Sequence, residues 1–299
     1  MIGINFQGQL GNQLFQYAVA RIASERLRCA LIVEPCGSWR RRLWNAATDN
    51  LNFEIFRVFP LSFSRLSHAL GILEIVSERG NASLRRTMFP YLFEPNGVRE
   101  TKGDMAYDPA IWDIQRGTWL RGWFQSPLYL AGWESEIRRW YHPSSNTLSG
   151  VRANLSTLPE APTDMIAVHV RLGDYLTMRG PHGHPESGWT LPRPYYERAL
   201  SRFSERAKIA LFSDNPNAAL AVLPRKPAWL SQASSDQSVD LFSMASFKSM
   251  IISNSSFSWW AAWLNSHPDK AIVAPEFHIG WRQRRWFPAD IRVNEWTYI

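Results

Sequence analysis

Met165-Ile166-Ala167-Val168-His169-Val170 is six residues of strand-type sequence, and Arg171-Leu172-Gly173-Asp174 follows it without a spacer. A short apolar run of this kind, closed by a turn residue, reads as a strand buried on both faces, as parallel sheets require. The period then keeps switching. Tyr195 to Phe203 reads as a helix, Lys208 to Phe212 as a strand and Val239 to Phe247 as a helix. Met250 to Ser253 follows as a strand, Phe257 to Leu264 as a helix and Ala271 to Ala274 as a strand. Strands alternating with helices predict a parallel sheet with helices on both faces, hence an α/β fold.

Working back toward the N-terminus, the chain opens in the same way. Met1 to Phe6 reads as a strand, Gln7-Gly8-Gln9-Leu10-Gly11 as a loop, Asn12 to Leu27 as a helix and Cys29 to Val33 as a second strand. Leu14, Ala18 and Ile22, with Phe15 and Val19, set the helical period. Residues 36 to 110 hold aromatic clusters, Pro and Gly without a clean period, and Pro127 to Tyr141 reads as helical again. Pro143-Ser144-Ser145-Asn146 and Leu158-Pro159-Glu160-Ala161-Pro162-Thr163 then punctuate the chain, with one short helical turn expected at Val151 to Leu155. The expected division is 1–150 for an N-terminal domain and 151–299 for a C-terminal domain. Two such halves imply a cleft, where ligands usually sit.

With 299 residues, 45% of them hydrophobic, the chain can bury a sizeable core without disulfides. Cys29 and Cys36 have no second Cys or His pair at zinc spacing, so two reduced thiols are expected. The N-terminus lacks the basic and long apolar segments of a signal peptide, and no run suits a membrane-spanning helix. A cytoplasmic protein is expected, with a peripheral contact at the inner face of the membrane left open. The net charge of +7 is carried largely by arginine, in separate groups such as Arg40-Arg41-Arg42, Arg85-Arg86, Arg138-Arg139 and Arg284-Arg285. No helix face concentrates them and no nucleic-acid motif accompanies them, so a nucleic-acid partner is not expected. A solvated surface accounts for them, as does attraction to anionic substrates. The 15 Trp suit either sugar stacking or an ordinary core.

In an open α/β sheet the chemistry lies beyond the carboxyl ends of the strands. After the first strand come two glycines and then the amides of Asn12 and Gln13 at a helix start, where a phosphate or merely a tight turn would fit. This is not a dinucleotide fingerprint, because its glycine spacing differs. After Val170 comes Arg171, whose planar fork suits a pyrophosphate but which can equally pair with Asp174 inside the protein. After Phe212 come Ser213, Asp214 and Asn215. After Ile252 come Ser253, Asn254, Ser255 and Ser256, opening a helix. Each set alone can be a cap. Several sets at equivalent strand ends point to a phosphate-bearing ligand.

Four motifs then occur in order. They are Gly8-Gln9-Leu10-Gly11-Asn12-Gln13-Leu14-Phe15-Gln16-Tyr17-Ala18, His169-Val170-Arg171-Leu172-Gly173-Asp174-Tyr175, Phe212-Ser213-Asp214 and Asn254-Ser255-Ser256-Phe257-Ser258-Trp259-Trp260. Together they resemble glycosyltransferase family 11, the α-1,2-fucosyltransferases, from near residue 3 to about residue 280. The resemblance implies a GT-B architecture, two Rossmann-like domains facing a cleft, and inverting, metal-independent transfer from GDP-fucose. It implies that Arg171 grips the β-phosphate, that His169 lies beside guanine and ribose, and that Asp240 reads the guanine edge. Ser255 and Ser256 would support the phosphates, Ser213 and Asp214 would lie near the nucleoside, and Gly11 and Asn12 would approach the diphosphate and the reacting centre. Two positions depart from the usual pattern: Leu172 where many relatives carry a second Arg, and Gln9 in the glycine loop.

No Asp-x-Asp triplet occurs, so no metal site and no cofactor is expected, and GDP-fucose enters as donor substrate. The expected catalytic set is Arg171, Asn12 and Asp174, and the acceptor is a glycan or lipid-linked glycan. The general base is not identified: Asp174 is the nearest carboxylate and Glu186 follows in the next loop. His182-Gly183-His184 reads as an exposed loop. Two other readings stand beside the first, a GDP-sugar transferase with a different acceptor or linkage and a nucleotide-sugar-binding protein without turnover.

Overall fold

The structure is a computed structural model that describes residues 2–29, 31–34, 98–100, 105–179, 188–231 and 236–299. The chain divides into two compact units, Met1–His142 and Pro143–Ile299. A division at 150 would cut the helix Ser145–Leu155, which packs on the helix Gln237–Ala245 through bonds such as Asn154 Nδ2 to Ser243 Oγ, 3.0 Å. That helix is longer than the single turn its sequence suggests, because Ser144 caps it by accepting from the Thr147 N–H. The stretch Pro127 to Tyr141 is not one helix. A 3-10 turn at Pro127–Tyr129 and the helix Glu134–Trp140 are separated by Gly132, whose φ is +78.

The first unit is built on a sheet ordered β2-β1-β4-β3, with β1 Ile2–Asn5, β2 Leu31–Glu34, β3 Val98–Glu100 and β4 Trp119–Arg121, all parallel. The helix Leu10–Arg26 follows β1. The sequence suggests one apolar face, yet the helix is buried nearly all round, because Gly11, Ala18, Ala20 and Ala23 leave room for close neighbours. Its buried amides are used: Gln16 brackets Gln7 with two backbone bonds, and Gln13 Nε2 donates to the Gly8 carbonyl.

The second unit carries six parallel strands ordered β10-β9-β8-β5-β6-β7. These are β5 Met165–Val170, β6 Lys208–Ser213, β7 Trp229–Leu230, β8 Ser249–Ile251, β9 Ala271–Ala274 and β10 Thr297–Tyr298. Strands β5, β6 and β7 run outward in one direction, and β8, β9 and β10 in the other. This is Rossmann strand order, and it places the topological switch between β5 and β8. Every residue of β5 is buried, as its unbroken apolar sequence requires.

Tryptophan settles into the core here. Trp259 and Trp260 are fully buried, Trp263 and Trp296 nearly so, and Trp259 Nε1 donates to the Ile291 carbonyl at 3.0 Å. Those four rings are packing material rather than sugar platforms. The α/β class, with a parallel sheet in each unit, is as the sequence predicts.

Candidate functional site

The switch between β5 and β8 is where the expected residues gather. His169, the fifth residue of β5, is 5% exposed, and its Nδ1 lies 2.8 Å from Ser253 Oγ, just past the end of β8. One hydrogen bond thus ties the two strands on either side of the switch. Burial, and after it the Arg171 charge, push the His169 pKa down to about 3, so the ring is neutral. Ser253 also reaches Ser258 Oγ at 3.4 Å, in the first turn of the helix Ser256–Leu264. Ser255 caps that helix by accepting from the Phe257 N–H at 3.3 Å. The helix N-terminus, with Ser255 and Ser256, therefore opens beside the end of β5.

Arg171 leaves β5 toward the same place. Its guanidinium is held between two carboxylates, Asp174 through Nη2 at 2.5 Å and Asp214 through Nη1 at 3.0 Å, with its Cζ 5.4 Å from the Tyr175 ring centre. The Arg171–Asp174 pair that the sequence allows is present. Asp214 also accepts from the Leu172 N–H at 2.9 Å, so it braces the loop as well as the guanidinium. The Leu172 side chain turns inward, 4% exposed, to pack in the core with Leu191 and Tyr195. A second arginine at this position would meet that apolar cluster.

Tyr175 continues the brace. Its hydroxyl donates to the Asn254 carbonyl at 3.2 Å, its ring meets Trp189 edge-on at 5.6 Å, and Asn254 Nδ2 donates to the Trp189 carbonyl at 2.8 Å. Asn254 is completely buried, and its Oδ1 has no hydrogen-bond partner among the described residues.

The remaining residues are placed more loosely. Ser213, at the end of β6, accepts from the Asn215 N–H at 3.1 Å and so shapes the turn. Asp240 lies in the first turn of the helix Gln237–Ala245, at the carboxyl edge beyond β7, and accepts from Ser231 Oγ at 2.9 Å. Gly11 and Asn12 belong to the first unit. There the Asn12 Oδ1 accepts from Gln125 Nε2 at 2.7 Å, and Gly8, with φ +72, leaves space for the Asn12 amide, which a Cβ would meet at 2.2 Å. Glu186, His182 and His184 lie outside the described residues, as does Cys36.

Ser253, named in the sequence with the strand-end set after Ile252, becomes the partner of His169. Trp189 at the switch and Gln125 beside Asn12 are not singled out by the sequence. Gln125, 113 residues from Asn12, and Trp189 carry no local signal.

Comparison with known proteins identifies the family. The profile of Glycosyl transferase family 11 matches residues 113–299, well over half of the chain. An O-antigen biosynthesis glycosyltransferase, WbnK, from Escherichia coli is 28% identical over 312 residues, covering 98% of this chain and 98% of that protein. An alpha-1,2-colitosyltransferase, also from Escherichia coli, is 25% identical over 284 residues, covering 90% and 89%. Among solved structures, POFUT1 in complex with GDP-fucose superposes with a TM-score of 0.49 at 13% identity, over 91% of this chain and 96% of that one. Two α/β units, the second in Rossmann strand order, are the building plan of GT-B enzymes. The chain is a glycosyltransferase, and it belongs to glycosyl transferase family 11.

Proposed function

We propose that the protein transfers L-fucose from GDP-β-L-fucose to the 2-hydroxyl of a galactoside, with inversion and without a metal, in building a surface polysaccharide. The observation that carries this reading is the strand switch itself. Arg171 and the N-terminus of Ser256–Leu264 lie on its two sides, joined by the His169–Ser253 bond. A cation and a helix N-terminus at one point suit a diphosphate. The relatives named for O-antigen biosynthesis and for an α-1,2 linkage support the product class.

The chemistry is a single in-line displacement. The acceptor hydroxyl oxygen forms a bond to fucose C1 and releases its proton to solvent, as the bond from C1 to the diphosphate oxygen breaks and its electron pair leaves with GDP. Arg171 and the N–H groups at Ser255 and Ser256 stabilise the charge growing on that oxygen, the electrostatic work that usually dominates such catalysis. With two carboxylates on one guanidinium, the local charge is negative before donor arrives. The diphosphate therefore displaces Asp174, whose side chain is 38% exposed against 25% for Asp214. Asp240 reads guanine, and the glycine-loop motif gives Asn12 a part at the diphosphate. Among the described residues no group of three or more His, Cys, Asp or Glu is placed to hold a metal ion. The donor is met in the cytoplasm, with the glycan or lipid-linked acceptor presented at the membrane face.

The similarity to a colitosyltransferase favours one other reading, the same linkage made with a different deoxysugar. Release of GDP from GDP-fucose across a panel of galactosides, with the product linkage read by NMR, tests both. An α-1,2-fucosylated galactoside is expected. Turnover confined to a donor carrying another sugar would move the assignment to the second reading.

A further inference from the structure

Asp214 is tied to the arginine loop more closely than its place in the chain suggests. Strands β5 and β6 run in parallel register with Val170 beside Ser213, so the residue after β6 meets the loop after β5. Asp214 Oδ1 accepts from the Leu172 N–H at 2.9 Å, and Oδ2 meets Arg171 Nη1 at 3.0 Å. Between those two anchors lies Gly173, with φ +20, where a Cβ would stand 2.2 Å from Asp214 Oδ2. Space, backbone and charge therefore all specify one carboxylate position. Asp174, the other partner of Arg171, sits on the same loop and moves with it. Asp214 comes from a neighbouring strand, and its turn is fixed by the Ser213–Asn215 bond. It is thus a reference point outside the loop it orients.

We propose that Asp214 is a positioning residue, which aims Arg171 at the leaving diphosphate and makes no contact of its own with the nucleoside. This rests on the reading of Arg171 as the diphosphate ligand. A fork that must meet two oxygens tolerates little rotation, so a fixed second carboxylate sets how well Arg171 works.

The test separates phosphate from nucleoside. Guanosine and GDP are titrated calorimetrically into the whole protein and its Asp214→Asn, Gly173→Ala, Arg171→Lys and Asp214→Asn/Arg171→Lys variants, and turnover of GDP-fucose is followed in each. Asparagine keeps the acceptor for the Leu172 N–H and removes the charge. Gly173→Ala pushes the carboxylate aside, and serves in place of Asp214→Asn if that variant fails to fold. Either change should lower turnover by about 10–100-fold and weaken GDP while guanosine affinity stays within about twofold. In the Arg171→Lys background, Asp214→Asn should add less than about threefold, because coupled residues are not additive. Guanosine affinity falling in parallel with GDP, or an undiminished effect in the Arg171→Lys background, would overturn the proposal. Failure of the donor reading has a different signature: unmodified protein that neither binds GDP nor releases it from GDP-fucose, which would remove this proposal too.

Discussion

At the scale of single residues, Arg171 concentrates the argument. Its guanidinium pairs with Asp174 and Asp214, at side-chain exposures of 38% and 25%, and pairs this wet are worth about 1 kcal/mol at most. Arg171→Lys keeps the charge and loses the planar fork. Its melting temperature should fall by only about 2–4 °C, while turnover falls by roughly 10²-fold, as when a preorganised donor is lost. A variant that melts much lower yet turns over normally would reduce Arg171 to a clamp for its own loop. The sequence leaves Arg171 two uses, a diphosphate ligand or a partner for Asp174, and the second contact is present in the structure. It does not make Asp214 legible as the arginine's partner, since that contact follows from the register of β5 and β6. Leu172 reads in the sequence as a missing cation, and becomes a core residue only when its side chain is seen packing with Leu191 and Tyr195.

At the scale of elements, the two strands flanking the switch carry the site, and one buried histidine joins them. Burial, then the Arg171 charge, hold His169 down to about 3, and burial holds His278 down to about 4, against an ordinary value of 6.5. The folded protein therefore binds fewer protons than the unfolded chain between those values and 6.5. Stability is full above about pH 6.5 and declines as the pH falls, by about 1.4 kcal/mol per pH unit for each histidine. Melting curves between pH 7.5 and 5 should show the decline, with a shallower slope for His169→Gln. An equal slope in that variant would mean that His169 is not held neutral. The strands at 165–170 and 271–274 are legible to the residue, because continuous apolar runs with sharp ends leave one register. The helix Leu10–Arg26 is legible in existence and not in burial: its small residues signal close packing only once neighbours are present. The cap at Ser144 lengthens the helix Ser145–Leu155 beyond its apolar core, Thr147 and Val151, which is why pattern alone gives one turn.

At the scale of the whole molecule, the second unit is the more legible half, since its candidate site residues lie near the ends of strands in Rossmann order or, like Asp240, in the helix that follows one. Gly11 and Asn12 lie in the first unit, where the Asn12 amide is set by Gln125 from far along the chain, so their role is read only from the motif. Among the described residues no helix is long and apolar enough to cross a membrane. The proposed function requires a guanine nucleotide held by Arg171 and helix N–H groups without a metal, with Asp240 choosing the base. Leaving guanine donors unpaired in a site built for them costs about 1–3 kcal/mol, so other bases should bind roughly tenfold or more weakly. Calorimetric titration of the full chain with GDP, UDP and ADP in excess EDTA measures this directly. GDP is predicted to bind in EDTA and to exceed UDP and ADP by that margin. Absence of GDP binding until Mn²⁺ or Mg²⁺ is restored, or equal affinity for the three nucleotides, would contradict it.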